Sequence, residues 1–396
     1  MVEASELNTK LLQKPVFLYS LSFAFVGFLL PIISKGMGAS ALQIGGLFSI
    51  FTVSTLVLRP ITGWFIDRFG RKPVLVFALI LFAFSRSAYI FADSIPRLYL
   101  ARFISGFSIL FLSVSIVTMI ADMSSPTGRG REMGRLNEMA ARSNIIGVTL
   151  GFSFFMFLPR DRAWQLAFVM YTVAALIAAW IVLRKVPESQ PSIQKTDRQN
   201  LVQSTFSVQL VKLMFIVFVT GMSGSLTSPI FLIYLQDKFT TKVWVLALAF
   251  LPGGLVNAFF AKRLGGLSDR FGRVQLMVIG LVVGGIVSIF IPLTPALLLL
   301  VGLFMISNAA VSVLGPAQAA MVADIVGEER RGMAYGLFDF ALNLGVTLGP
   351  LLGGWLYDTE GKATPFFLNG VILIICAGWV LLFMRKHSQE MAAAED

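Results

Sequence analysis

Along the chain, long apolar runs alternate with short polar breaks marked by Gly, Pro or charge. A bilayer's hydrocarbon layer, about 30 Å thick, needs roughly 20 apolar residues per helical crossing. Twelve runs meet that length: 16–34, 43–66, 74–92, 98–121, 136–158, 163–183, 209–235, 243–261, 274–293, 296–322, 334–356 and 365–384. Strands of an outer-membrane barrel would alternate apolar and polar positions over about 10 residues. These runs are continuous, so the pattern predicts an all-α membrane protein of twelve transmembrane helices, here spans 1 to 12. One long polar stretch, residues 184–208, is rich in Ser, Gln and charge and separates six spans from six. Its composition reads as a flexible cytoplasmic linker between an N-terminal bundle, 1–183, and a C-terminal bundle, 209–396.

The two bundles repeat one another at a constant, ungapped offset of 202 residues. Gly63 falls on Gly265, and Asp67-Arg68-Phe69-Gly70-Arg71 on Asp269-Arg270-Phe271-Gly272-Arg273. The same register pairs Asp122 with Asp324, Arg129-Gly130 with Arg331-Gly332, Gly134 with Gly336, Gly147 with Gly349, and Gly151 with Gly353. Each repeat holds an even number of spans, so the two six-helix bundles share one orientation and are pseudo-symmetric about the membrane normal. Parallel repeats of this kind place a substrate site between them near the midplane.

Composition agrees with lipid as the solvent: 56% of residues are hydrophobic and 13% charged, against about 25% charged in average soluble domains. A net charge of +11 could suggest nucleic acid, but its distribution argues against that partner. With a cytoplasmic N-terminus, inner loops and tails carry 21 Lys and Arg, while the outer loops carry seven: Lys35, Arg97, Arg160, Arg162, Lys238, Lys242 and Lys362. This positive-inside bias places both termini in the cytoplasm, in a protein of the cell (inner) membrane. The first 14 residues are polar, and no small-residue cleavage site follows span 1, so that span is expected to be retained. A single cysteine, Cys376, excludes disulfides and cysteine-held metal, and the single histidine, His387, lies in the polar C-terminal tail. No enzyme chemistry, metal or cofactor is expected.

Two loops carry the most specific signal. GWFIDRFGRK, Gly63 to Lys72, follows span 2, and GGLSDRFGR, Gly265 to Arg273, follows span 8. The first resembles the loop 2–3 signature of the major facilitator superfamily, G-x-x-x-D-R-x-G-R-[RK]. The resemblance covers the whole chain and implies the major facilitator fold, with the signature Asp latching the two halves at the cytoplasmic side. The residues themselves allow this. Gly63 lets span 2 approach a neighbour closely, and Gly70 permits a tight turn. Asp67 can accept hydrogen bonds at a helix N-terminus, such as that of span 11 near Gly332. Arg71 can pair with Asp122, and Asp269, Arg270, Gly272, Arg273 and Asp324 repeat the set. The plainer alternative is a set of turn residues and positive-inside charges.

Span 11 carries Gly345, Gly349, Pro350, Gly353 and Gly354, a spacing that allows close helix packing. A Gly-Pro motif of this type in span 5 resembles the antiporter signature of the family's drug exporters. At the matching place span 5 has Ser143, Gly147, Val148 and Gly151, without the proline.

Charges within membrane spans default to functional candidates. Arg102, in LARFISG, resembles the family's span 4 motif, an arginine with a glycine four residues on, and Arg86 lies at similar depth in span 3. Span 5 carries Asn137, Glu138 and Arg142, and span 11 carries Asp339 and Asn343. Glu138 and Arg142, spaced i,i+4, can form an ion pair. Either the pair neutralises itself, or Glu138 is a buried, proton-responsive carboxylate with Arg142 as modulator; Asp339 is a second candidate. Arg59 beside Pro60 reads as an arginine snorkelling to the cytoplasmic face. Met222, Tyr234 and Gln236, with some of the 36 phenylalanines, are candidates for lining a cavity. Gly27, Pro31, Gly221, Gly224 and Pro229 can bend spans 1 and 7.

These readings predict a secondary active transporter working by alternating access, functional as a monomer. Its expected activity is proton-coupled efflux of small organic or amphipathic molecules, similar to the twelve-helix drug:proton antiporter branch. Uptake of an anionic metabolite by proton symport is the alternative. A non-transporting sensor or scaffold would be expected to carry a further cytoplasmic domain.

Overall fold

The structure is a computed structural model that describes residues 2–124, 128–189, 208–250, 252–253, 272–326 and 331–395. The regular elements among them are helical. Span 1 is divided into α1 (Val2–Ser20) and α2 (Phe23–Gly36), and span 2 into α3 (Ala41–Val57) and α4 (Arg59–Phe69). Spans 3 to 7 are the single helices α5 (Arg71–Ile90), α6 (Ile95–Met123), α7 (Arg129–Phe157), α8 (Arg160–Lys185) and α9 (Val208–Lys238). Spans 9 to 12 are α10 (Arg273–Phe290), α11 (Leu297–Ile325), α12 (Arg331–Thr359) and α13 (Thr364–Glu395). Ten helical segments are long and apolar enough to cross a membrane, and the pair α3–α4, bent by 53°, makes an eleventh. Of span 8, residues 243–261, the structure describes 243–250 and 252–253, which are helical. This is the twelve-helix plan expected from the hydropathy pattern.

The two breaks have different causes. In span 2, Pro60 sits at the second position of α4, where its missing N–H and ring end the ladder of the preceding turn. In span 1 the break at Leu21–Ser22 involves no proline and is held from outside by α7. The Ser143 hydroxyl donates to the Phe17 carbonyl, and Asn144 Oδ1 accepts from the Ala24 N–H at 3.1 Å. Neighbouring polar side chains thus take up backbone groups that a break would strand in lipid.

By compactness the chain divides into two units, Met1–Ala39 with Ile50–Lys195, and Ser40–Ser49 with Thr196–Asp396. The opening residues of α3 therefore pack with the second unit, although they precede the 184–208 linker. The first unit's core contains Leu12, Val16, Leu75, Leu79, Phe82, Phe111, Met119, Ala178 and Val182. That of the second contains Leu210, Leu213, Val217, Met277, Leu281, Ala317, Met321 and Val380. Phe77, Ile80, Phe84, Trp180, Leu183, Phe290 and Leu298 are exposed, as apolar helix faces are when lipid is the solvent. The start of the polar linker is not loose: Val186 and Ser189 are buried against the first unit.

Glycines of spans 5 and 11 make close helix contacts. A Cβ at Gly147 would overlap the Leu21 carbonyl, and one at Gly151 the ring of Phe25. On α12, a Cβ at Gly345 would strike the Phe218 carbonyl of α9, one at Gly349 the Met222 carbonyl, and one at Gly353 the Leu226 carbonyl. Span 5 on span 1 and span 11 on span 7 are thus the same packing made twice.

Candidate functional site

The loop after α4 is built on Gly70, whose φ of +89° suits glycine; Gly272, its repeat partner, has φ +85°. Arg71 Nε donates to Asp122 Oδ2 at 3.1 Å, and Ser189 Oγ donates to the same oxygen at 3.0 Å. The Arg71 and Asp122 side chains are only 11% and 7% exposed. In the second unit Arg273 pairs with Asp324 and donates to the Ala320 carbonyl at 3.0 Å, with side-chain exposures of 30% and 40%. Glu188 Oε1 accepts the backbone N–H groups of Arg71 at 2.7 Å and Lys72 at 3.2 Å. A carboxylate so placed complements the positive end of α5.

Asp67 and Arg68 are exposed. Asp67 has no hydrogen bond or ion pair among the described residues, and the Arg68 guanidinium lies 5.7 Å from the Trp64 ring of its own helix. Gly63 meets open space where a Cβ would be, so the close helix approach expected of it does not occur. Gly265, Asp269 and Arg270 lie outside the described residues.

In α7, Arg142 pairs with Glu138 through Nη2 and Oε1, and both side chains are largely exposed, at 66% and 60%. The buried carboxylate expected as one reading of Glu138 is therefore not present, because this stripe of α7, Asn137 included, faces away from the helices that α7 packs on. Asp339 and Asn343 are half-buried, and Asn343 Nδ2 donates to the Asp339 carbonyl at 2.8 Å on the same helix.

Arg86 and Arg102 are both buried, at 1% and 7% exposure. The Arg102 guanidinium sits 4.5 Å over the Phe51 ring of α3. One turn on, a Cβ at Gly106 would overlap the Phe51 carbonyl; the i,i+4 pair meets span 2 at one place. The Arg86 guanidinium lies 4.2 Å from the Phe82 ring and 5.5 Å from that of Tyr89. Around it, Ser105 Oγ donates to the Ala101 carbonyl at 2.7 Å, and Trp164 Nε1 to the Tyr89 carbonyl at 2.7 Å.

The family model described as Major Facilitator Superfamily matches residues 16–264 and 213–395. The chain belongs to the major facilitator superfamily. Among curated proteins, multidrug resistance protein 2 of Bacillus subtilis is 26% identical over 395 residues, spanning 96% of this chain and 98% of that protein. Quinolone resistance protein NorA of Staphylococcus aureus is 22% identical, covering 94% and 95%. Among solved structures, a bacterial homologue of the human lysosomal transporter Spinster, inward-facing and occupied, superposes with a TM-score of 0.80 at 16% identity, covering 96% and 97%. The nucleoside transporter NupG gives 0.77 at 14%, covering 94% and 99%. As a major facilitator protein the chain is a transporter of small molecules, not an enzyme, and an integral protein of the cell membrane.

Three features of this facilitator were not singled out from its sequence. Glu188 fell inside a segment read as flexible, and its ladder to α5 depends on how α8 ends. Asp358 accepts the N–H groups of Ala41 at 3.0 Å and Leu42 at 2.8 Å, which caps α3 within the second unit. Beside it, Asp237 accepts from Tyr357 Oη at 2.7 Å and Lys362 Nζ at 2.9 Å. An acid at the end of one span gives no sign in the sequence of the helix start it will meet. The third is a cavity of about 540 Å³ in the first unit, lined by Gly36, Met37, Asp93, Arg97, Arg160 and Gln165 among others; it contains none of the candidate pathway residues.

Proposed function

We propose that this protein exports small organic, amphipathic molecules in exchange for protons, by alternating access and as a monomer. The observation that carries this reading is similarity over nearly the full length to multidrug resistance protein 2 and NorA, proteins named for drug resistance. The parallel repeat, with its two equivalent Arg–Asp loops, supports two bundles of residues 1–183 and 209–396 rocking about a central site. Glu138 is the proposed coupling group. It is paired with Arg142 on an exposed face of α7, where a change of partner would release the arginine.

A second reading is proton-driven uptake of an anionic molecule, which the buried Arg86 favours over a cationic substrate. Span 5 without its proline and span 1 without any acid also set the chain apart from a typical exporter of cations.

The test is transport of labelled candidates in proteoliposomes with and without an imposed pH gradient. Glu138→Gln should abolish the response to the gradient while substrate binding without a gradient survives. Gradient-driven transport that persists in this variant would move the coupling role to Asp339 or remove proton coupling.

A further inference from the structure

We infer that Arg86 and the break in span 1 form a binding site for the carboxylate of an aromatic monoanion. This rests on the reading that the protein carries small organic molecules, and it assigns a substrate class to the first unit.

Arg86 is 1% exposed, and its Nε and Nη1 have no hydrogen-bond partner among the described residues. Arginines inside membrane proteins normally pair with acids or backbone carbonyls. Here the guanidinium has aromatic rings from its own helix, Phe82 four residues before and Tyr89 three after. Rings attract a cation but cannot neutralise it. The acids of the first unit whose side chains are described are committed elsewhere or lie at helix ends. Asp122 holds Arg71, Glu138 holds Arg142, Glu132 holds Arg135 and Asp93 holds Arg97. Asp67 and Asp161 are exposed at the ends of α4 and α8. A positive charge that is both dehydrated and unneutralised calls for an anion supplied from outside the chain.

The break in span 1 adjoins this charge through one ring. Phe82 stands 6.0 Å from Tyr19 and 5.6 Å from Phe23, which flank Leu21–Ser22. Ser22 is 1% exposed, and its Oγ also lacks a partner. Its position just before α2, a helix of 14 residues, puts the positive end of that helix beside the free hydroxyl. The guanidinium supplies positive charge and two free donors, and the Ser22 hydroxyl can donate a third hydrogen bond, so the set favours an anion. One unpaired guanidinium matches a single negative charge better than a phosphate dianion with three acceptor oxygens. The rings of Tyr19, Phe23 and Phe82 provide stacking faces for an aromatic body.

The probe is 1-naphthoate, with the neutral isostere 1-naphthamide as control, titrated calorimetrically into purified protein. Wild type should bind naphthoate at least tenfold more tightly than naphthamide. Arg86→Gln should lose naphthoate affinity by tenfold or more, Arg86→Lys should retain part of it, and Ser22→Ala should lose several-fold; none should change naphthamide binding. Equal affinity of wild type for the two probes overturns the inference without recourse to any variant, and so does unchanged naphthoate binding in folded Arg86→Gln. Transport of ethidium in a pH gradient separates this site from the reading it rests on. Transport without naphthoate selectivity would reject the site alone, and Arg86-dependent binding without transport of either compound would reject the transporter reading alone.

Discussion

Arg71 and Arg273 make the same contact in the two repeats, to Asp122 and Asp324, but in different surroundings. The first pair is nearly enclosed and shares its acid with Ser189, whereas the second is 30% and 40% exposed. Removing one member of an enclosed pair strands the other charge, at a cost on the order of 3 kcal/mol. An exposed pair is worth about 1 kcal/mol or less. Asp122→Ala should therefore lower thermal stability clearly more than Asp324→Ala when both are melted in the same detergent. Equal losses would show that burial does not set the difference.

At the scale of elements, glycines related by the repeat divide by what surrounds them. At Gly147 and Gly349 a single Cβ would overlap backbone of the facing helix, while Gly134 and Gly336 meet open space. Gly147→Ala and Gly349→Ala should each cost about 1–3 kcal/mol through overpacking. Gly134→Ala and Gly336→Ala should be neutral or stabilising by up to about 1 kcal/mol, because alanine favours the helix. Melting temperatures and the yield of monodisperse protein report both, and a stable Gly147→Ala would contradict the close approach of α7 to span 1.

For the whole molecule, the proposed cycle turns on contacts that must break and re-form. Asp67 is exposed and engages no described group, and the latch proposed for it is testable by substitution. Asp67→Asn removes a charge from a contact with a helix start worth roughly 1 kcal/mol. Transport should fall with folded yield unchanged, and thiols placed on the cytoplasmic side should become more accessible; normal transport in Asp67→Asn would end the latch proposal. Orientation is testable in the same preparation. In a background lacking Cys376, cysteines at Gly38 and Lys238 should react with an impermeant thiol reagent from outside, and one at Ser192 only from inside. Outside labelling at Ser192 would reverse the assignment of both termini to the cytoplasm.

Hydropathy, the 202-residue repeat and the Gly63–Lys72 loop signature by themselves determined the helical class, the twelve spans and the family. Each depends on the solvent around the helices or on similarity along the chain, and neither requires knowing which helices touch. The pairing of Arg71 with Asp122 was legible because both residues recur in the second repeat. What only the tertiary structure decided concerns partners far apart in sequence. Asn144 and Ser143 hold open a break in span 1 that no proline marks; Glu188 caps α5 from a stretch that reads as linker; Asp358 reaches the start of α3. The exposure of Glu138 belongs here too, since an i,i+4 spacing fixes the ion pair but not the face it looks out from. Arg86 shows the limit most plainly. Its sequence position shows its depth in span 3, but that its Nε and Nη1 have no hydrogen-bond partner among the described residues is a property of packing.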